Sequence, residues 1–546
     1  MPSLAIRWIS SPLLWVGVVT CVAQAQTRPV GRVVTPEIRI DSGVLRGLIV
    51  GDKKDICVYK GIPFAAPPVG DLRWKAPRPP EAWQGVRDCF EFGAACPQPS
   101  IGPLVLMPEM ATNAPVSEDC LYLNIWAPAG RAEQKLPVLY WIHGGGFVIG
   151  AASQPMYDGE ELARLGCVVV SVNYRLGLFG FLAHPALSAE SADHISGNYG
   201  LLDQIEGLRW VRRNIAAFGG DPDRVTIFGE SAGGISVDCL MVMPAAKGLF
   251  HGAIAQSATA LTLPRLRERV DGEESSEQAG RKAMVACGLD ASADVAKMRR
   301  LDSATLVRAV PVALAIGSPI KLQRPSIRCG PVFDGVSIPD QPPAIFAAGR
   351  EHPVPMIVGN TRSEMSLFLL GSKMPTDEAD YLKQLQANFP DLAAALSAAY
   401  PVHDASQIRP AVIAMMTDLS FARDTRAVVR AHSAAGHPAF RYQFSRGSHR
   451  AILELLGAHH GCELLYLFQR PLGGQGDDLR MSRLMGRYWV NFAATGNPNG
   501  TGLPDWPVCD LRTETMIDFA KEVEVLHGYR NGQLDLMEKV AGHASN

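Results

Sequence analysis

The sequence predicts an α/β protein built on a large, mostly parallel central sheet flanked by helices, and two observations predict it. Six short apolar runs, LPVLYWIHG (136–144), CVVVSVNY (167–174), VTIFG (225–229), AIAQS (253–257), VPMIVGN (354–360) and AFRYQF (439–444), are mostly bounded by Gly, Pro or polar residues. Strands covered on both faces have this character. Helical periodicity lies between several of them: in GLLDQIEGLRWVRRNIAAF (200–218), Ile205, Leu208, Val211 and Ile215 recur at three- and four-residue spacing. Strand–helix–strand alternation implies a parallel sheet sandwiched by helices.

Taken in order, the chain begins with Arg7, the apolar stretch WISSPLLWVGVVTCV and Ala23-Gln24-Ala25. A basic residue, a short apolar run and an A-x-A site describe a secretory signal, removed after Ala25. A membrane anchor would need about 20 apolar residues, and a lipid-modified Cys21 would have Thr20 as a poor neighbour. Up to about residue 130 the pattern is one of antiparallel hairpins and long loops, with Pro-rich turns at FAAPPVGDLRW and KAPRPPEAW. No linker divides the rest. Residues 26–546 are therefore expected to form one domain with long insertions between 258 and 460.

The chain has 546 residues, 47% hydrophobic and 19% charged, with a net charge of −2. A near-neutral balance argues against a nucleic-acid or anionic-membrane partner, since both need a basic patch. No later stretch qualifies as a membrane span, so an exported protein without stable membrane insertion is expected; no oligomeric state follows from the pattern. Export permits disulfides. Of eleven cysteines, Cys21 leaves with the signal, and the remainder show no metal-binding spacing. One or two bridges and several buried thiols are expected.

Gly229-Glu230-Ser231-Ala232-Gly233 is a G-x-S-x-G motif between a strand and a helix, the context that gives it meaning. A strained strand-to-helix turn lifts the serine hydroxyl clear of the backbone. The following helix directs its N-terminus at the site, which favours negative charge there. A serine alone is a weak nucleophile and needs a base with an orienting partner. WIHGGGFVIG (141–150) supplies three consecutive glycines whose N–H groups are free to hydrogen-bond a developing oxyanion. A nucleotide loop would need G-x-G-x-x-G or a Walker lysine, and neither is present. A purely structural glycine turn is the competing reading.

Together these two motifs resemble the type-B carboxylesterase/cholinesterase family of the α/β-hydrolases. Further stretches extend the resemblance over nearly the whole mature chain: KGIPFAAPPVGDLRW (60–74), SEDCLYLNIWAP (117–128), NYRLGLFGFL (173–182), GNYGLLDQ (197–204), NIAAFGGDPDRVTIFGESAGG (214–234) and FAATGNPN (492–499). The resemblance implies an α/β-hydrolase fold whose N-terminal part is antiparallel and whose insertions form a gorge. It implies an oxyanion hole from the amides of Gly145, Gly146 and Ala232. Chain order of Ser, then Asp/Glu, then His leaves many candidates. The family's acid lies in a stretch like VGNTRSEM (358–365), pointing to Glu364, and its histidine in one like GAHHGCE (457–463), pointing to His460 with His459 as rival. His460 would then act as general base and acid, and activity should fall as pH drops through about 6–7.

The same resemblance implies a Cys96–Cys120 bridge, whereas a second bridge from Cys287 would meet Met298. It implies ion pairs Arg73–Glu118 and Arg175–Asp203, Ser257 beneath the triad, and Glu230 tuning the electrostatics beside the nucleophile. Residues 96–120 contain no Trp, Tyr or Phe, so the aromatic cation site that binds quaternary ammonium groups is missing, and a dedicated choline ester is not expected. Leu104, Val105, Leu106 and Met107 suggest an apolar entrance, with ordinary packing as the competing reading. Arg423, Arg426 and Arg430 fall on one helical face, read as a solvated face, with recognition of an acidic substrate as the alternative. Asn499-Gly500-Thr501 fits a glycosylation sequon. The expectation is a secreted or periplasmic serine esterase that hydrolyses a small-molecule carboxylic ester through an acyl-enzyme, with no cofactor. A catalytically silent cholinesterase-like binding domain, and within enzymes a lipase or an amide or carbamate hydrolase, are the alternatives.

Overall fold

The computed structural model describes residues 32–543 except 101–107, 113, 131–132, 259–261, 269–273, 311–319, 321–328, 448–450, 472–473 and 475. The proposed signal and the Leu104–Met107 entrance lie outside the described residues.

Twelve strands form one sheet. In chain order they are β1 (Val33–Val34), β2 (Leu48–Val50), β3 (Ile56–Pro63), β4 (Tyr122–Pro128), β5 (Leu136–Ile142), β6 (Val168–Val172), β7 (Gly220–Glu230), β8 (Gly252–Gln256), β9 (Met356–Thr361), β10 (Ala439–Phe444), β11 (Met516–Phe519) and β12 (Val523–Leu526). Their spatial order is β1-β2-β3-β4-β6-β5-β7-β8-β9-β10-β11-β12. From β6 to β11 every neighbouring pair is parallel. The N-terminal strands β1 to β4 are antiparallel, as is β12 at the far edge. All six runs singled out in the sequence contain parallel strands, and the antiparallel N-terminal part is as expected. A second sheet of three short strands (Ile38–Ile40, Gly43–Arg46, Val86–Asp88) lies in the N-terminal part.

The central strand β5 is apolar throughout because both its faces are covered. In β5, Val138, Tyr140 and Ile142 pack into one core, while Leu139 and Trp141 pack into another on the opposite face. The helices used below are α1 (Tyr199–Asn214), α2 (Ala232–Val242), α3 (Ala405–Thr417), α4 (Arg423–Ala434), α5 (Gly476–Thr495) and α6 (Asn531–His543). A π-helical turn, Asp418–Ala422, joins α3 to α4. Among the described residues, no helix is long and apolar enough to cross a membrane.

The chain lays β6 on one side of β5 and then β7 on the other, so the crossover direction reverses there. Such a switch point opens a crevice beyond the carboxyl ends of the strands. Gly229 pairs with Ile142, so the serine turn after β7 and the glycine loop after β5 emerge side by side.

Candidate active site

Ser231 sits between β7 and α2 at φ 56° and ψ −121°, a left-handed geometry that is costly for a residue with a Cβ. Its amide donates to the Gln256 carbonyl at 2.9 Å, and its own carbonyl accepts from Ile235 at 2.9 Å. The small neighbours follow from packing. A Cβ on Gly229 would lie 2.5 Å from the Gly233 carbonyl carbon, and one on Gly233 would be driven into the Ile142 carbonyl. The motif's glycines are thus required by the close approach of α2 to β5.

In the glycine loop, Gly145 adopts φ 109° and Gly146 φ 62°. A Cβ on Gly145 would collide with the Ile149 carbonyl, whereas one on Gly146 would make only an ordinary contact with Val148 Cγ2 at 3.9 Å. Gly145 also accepts from the amides of Val148 and Ile149, both at 3.1 Å, which folds the loop back on itself. Ala232 is the first residue of α2, where amides have no intrahelical acceptor.

Glu364 follows β9 and is fully buried. Its Oε1 accepts from Ser257 Oγ at 2.6 Å and from the Thr361 amide at 2.7 Å, while its Oε2 lies 2.5 Å from His460 Nδ1. His460 packs against Phe368 and Phe421, with ring centroids 4.8 and 5.3 Å away. Its Nε2 makes no hydrogen bond and lies 3.1 Å from Glu230 Oε1, next to the serine turn. His459 instead turns its Nδ1 to the His460 carbonyl at 3.0 Å, so the carboxylate is met by His460 and not by its neighbour.

Three carboxyl groups surround this imidazole. Burial opposes its charge, but Glu230, Glu364 and Glu463 outweigh that and push the His460 pKa up to about 9. Burial, with Glu364 adding and His460 opposing, pushes Glu230 up to about 7. Glu463 is driven well above the ordinary carboxylate range by burial, then by Glu230 and Glu364. Its Oε1 accepts from Gln256 Nε2 at 3.4 Å. Sequence reasoning assigned no role to Glu463, Gln256, Phe368 or Phe421. A lone Glu ahead of the apolar run LLYLF was the available signal for a buried carboxylate.

The two expected ion pairs are present: Arg73 Nη2 meets Glu118 Oε1 at 2.5 Å and Arg175 Nη2 meets Asp203 Oδ1 at 2.7 Å. The expected Cys96–Cys120 bridge is not formed. Both are buried free thiols, as are or partly are the other eight described cysteines. The Cys96 sulfur accepts from the Leu176 amide at 3.1 Å, and the Cys120 thiol pKa is raised, first by its hydrogen bond with Cys96 and then by burial. The arginine face of α4 is solvated only at Arg430. Arg426 is buried against Glu514 at 2.6 Å and Asp535 at 2.6 Å, Arg430 pairs with Glu514, and Arg423 pairs with Asp424 at 2.5 Å. With each charge met by a carboxylate of the protein itself, these arginines are not available for an acidic substrate. The Asn499 amide of the sequon donates to the Trp506 carbonyl at 2.8 Å and its oxygen accepts from the Trp506 amide at 2.7 Å. Among the described residues, no cluster of three or more His, Cys, Asp or Glu side chains could hold a metal ion.

Residues 34–537 match the carboxylesterase family. The chain belongs to that family. It is 37% identical over 485 residues to the para-nitrobenzyl esterase of Bacillus subtilis (strain 168), covering 86% of this chain and 92% of that one. To the fumonisin B1 esterase of Sphingopyxis macrogoltabida it is 36% identical over 480 residues, covering 86% and 84%. A solved structure of a PNB esterase superposes with a TM-score of 0.76 at 33% identity, covering 92% of this chain and 99% of that chain. The carboxylesterase fold is therefore the α/β-hydrolase fold, and the protein is a carboxylic ester hydrolase of the serine esterase class, acting on small-molecule esters.

Proposed function

We propose that this carboxylesterase works through Ser231 as nucleophile, His460 as general base and acid, and Glu364 as the group that orients and stabilises the imidazole. The observation that carries this reading is the contact of His460 Nδ1 with Glu364 Oε2, which leaves Nε2 without a hydrogen bond beside the serine turn. In that tautomer Nδ1 donates to the carboxylate, and Nε2 has its lone pair available to take a proton.

Ser231 Oγ attacks the ester carbonyl as its proton passes to Nε2. The negative charge on the carbonyl oxygen is met by the amides of Gly145, Gly146 and Ala232, assisted by the N-terminal end of α2. Collapse breaks the ester C–O bond, and the alcohol leaves with the proton from Nε2. Water then repeats the sequence on the acyl-enzyme: it gives a proton to Nε2, adds to the acyl carbonyl, and releases the acid as Ser231 recovers its proton. Ser257 and the Thr361 amide fix Glu364 from behind. Glu230 sets the field around His460 and stays outside the bond-making steps. The enzyme is read as one domain, 26–546, exported after removal of residues 1–25.

The test is hydrolysis of p-nitrophenyl acetate, butyrate and octanoate by the wild type and Ser231→Ala. Turnover that disappears in the variant supports the assignment, and the acyl-length profile sizes the pocket. A folded wild type without turnover on any of these esters would instead favour a binding domain.

A further inference from the structure

We propose that a cavity behind the Glu364 turn is a second binding site, for a small organic carboxylate with an apolar tail, centred on the buried guanidinium of Arg441. The argument begins with the alternation of β10. Phe440, Tyr442 and Phe444 enter the aromatic core on one face of the sheet, so Arg441 and Gln443 project from the other. In register with them stand Val358 and Asn360 on β9 and Asp518 on β11. A sheet face that would ordinarily be sealed by an apolar helix is thus largely polar. It is not sealed. A cavity of about 460 Å³ separates it from α3, the π-helical turn and the start of α6, within the range of small-ligand pockets, roughly 300–1,000 Å³.

Arg441 is the anomaly. It is 3% exposed, its Nε makes no hydrogen bond, and no carboxylate among the described residues pairs with it. The other deeply buried arginines, Arg175 and Arg426, each hold a carboxylate, because an unpaired charge in the interior is costly. Asp418 faces the same cavity but is already engaged by Arg530 Nε at 3.0 Å and the Tyr400 hydroxyl at 2.7 Å. Three guanidinium groups (Arg362, Arg441, Arg530) line the cavity against two carboxylates, Asp418 and Glu454. Burial lowers the Arg441 pKa to about 10, in keeping with a charge that nearby groups compensate incompletely.

The lining also selects the ligand. A planar guanidinium offers parallel donors that match a carboxylate in bidentate fashion. Ile413, Leu456 and Met516 supply apolar wall that an inorganic anion would not use. Arg362, Glu454 and Leu455 are exposed at the lining and mark the entrance. Ser363 and Ser366, on either side of Glu364, belong to the same lining, so the site abuts the turn that carries the triad acid without including it.

Isothermal titration of the full enzyme with sodium hexanoate, and separately with inorganic phosphate, tests the site. The expected result is saturable binding of one hexanoate, weakened at least tenfold in Arg441→Met and in Ala414→Phe, which fills the cavity from α3, with phosphate binding at least tenfold more weakly than hexanoate. Should Arg441→Met fail to fold, Ala414→Phe carries the same readout. Absence of saturable hexanoate binding, or an affinity unchanged in the folded variants, would overturn the site. Phosphate binding as tightly as hexanoate would overturn the carboxylate assignment.

Discussion

Ser231 and the glycine loop stand on the β5/β7 switch, where main chain packs on main chain, whereas Glu364 and His460 come from loops after β9 and β10 and are held by side chains. In the first half each small residue is dictated by a carbonyl it would otherwise strike: Gly233 by Ile142, Gly145 by Ile149, Gly229 by Gly233. In the second half position depends on Ser257, the Thr361 amide and two phenyl rings. The difference teaches that the nucleophile half should be sterically brittle, and the acid–base half electrostatically tunable.

The comparison breaks most completely if the chemistry is removed. Ser231→Ala and His460→Ala are each expected to lower kcat by about 10⁶, and Glu364→Ala somewhat less, at about 10⁴, following the pattern of other serine hydrolases. Steady-state kinetics on p-nitrophenyl butyrate check this, and equal losses of only tenfold would contradict it. Brittleness is sharpened by two alanines in the glycine motifs. Gly233→Ala should abolish activity together with a marked loss of thermal stability, because α2 cannot withdraw from β5. Gly146→Ala meets no clash but a left-handed φ, and should stay folded while losing about 10² in kcat as the proposed oxyanion donor shifts.

Tunability is read in the pH profile. A general base must be neutral, and His460 is raised to about 9 by its surrounding carboxylates against the pull of burial. Activity should therefore climb with pH through a range above the ordinary histidine value of about 6.5, and not the range of 6–7 expected for an unperturbed imidazole. Glu230→Gln removes one of the carboxylates that raise it, so the acid limb of kcat/KM should move down toward that ordinary value. An unmoved limb would mean that Glu230 exerts no such field. The smallest effect is expected from Ser257→Ala, which deletes one of three contacts on Glu364. A loss of about tenfold in kcat is predicted, with the fold intact, at the low end of the roughly 1.5–3 kcal/mol of a hydrogen bond to a charged group.

The half that carries Ser231, the proposed nucleophile, has its geometry written in the sequence for the reason that should make it brittle. Its constraints are local, so they appear as G-x-S-x-G and HGGG at fixed spacing beside apolar strands. Glu364 and His460 could be reached only through resemblance, since these residues, 96 positions apart, meet only when two strands fold into register. Glu463 and the phenyl rings around His460 had no role in the sequence pattern, because an apolar helix containing one glutamate reads as ordinary core. The arginine face of α4 failed for a similar reason: its partners Glu514 and Asp535 lie far along the chain, just before β11 and within α6. The Cys96–Cys120 expectation rested on the family alone, and the structure leaves both sulfurs as thiols.

The most direct measurement of the central claim is active-site labelling. The wild type, His460→Ala and Glu364→Ala would be incubated with a small organophosphate and mapped by mass spectrometry. One phosphoryl group on Ser231 of the wild type, formed orders of magnitude more slowly in His460→Ala and slower by a smaller factor in Glu364→Ala, is the result predicted by a serine activated through a carboxylate-held imidazole. A label on another residue, or labelling of Ser231 at the same rate in all three proteins, would contradict it.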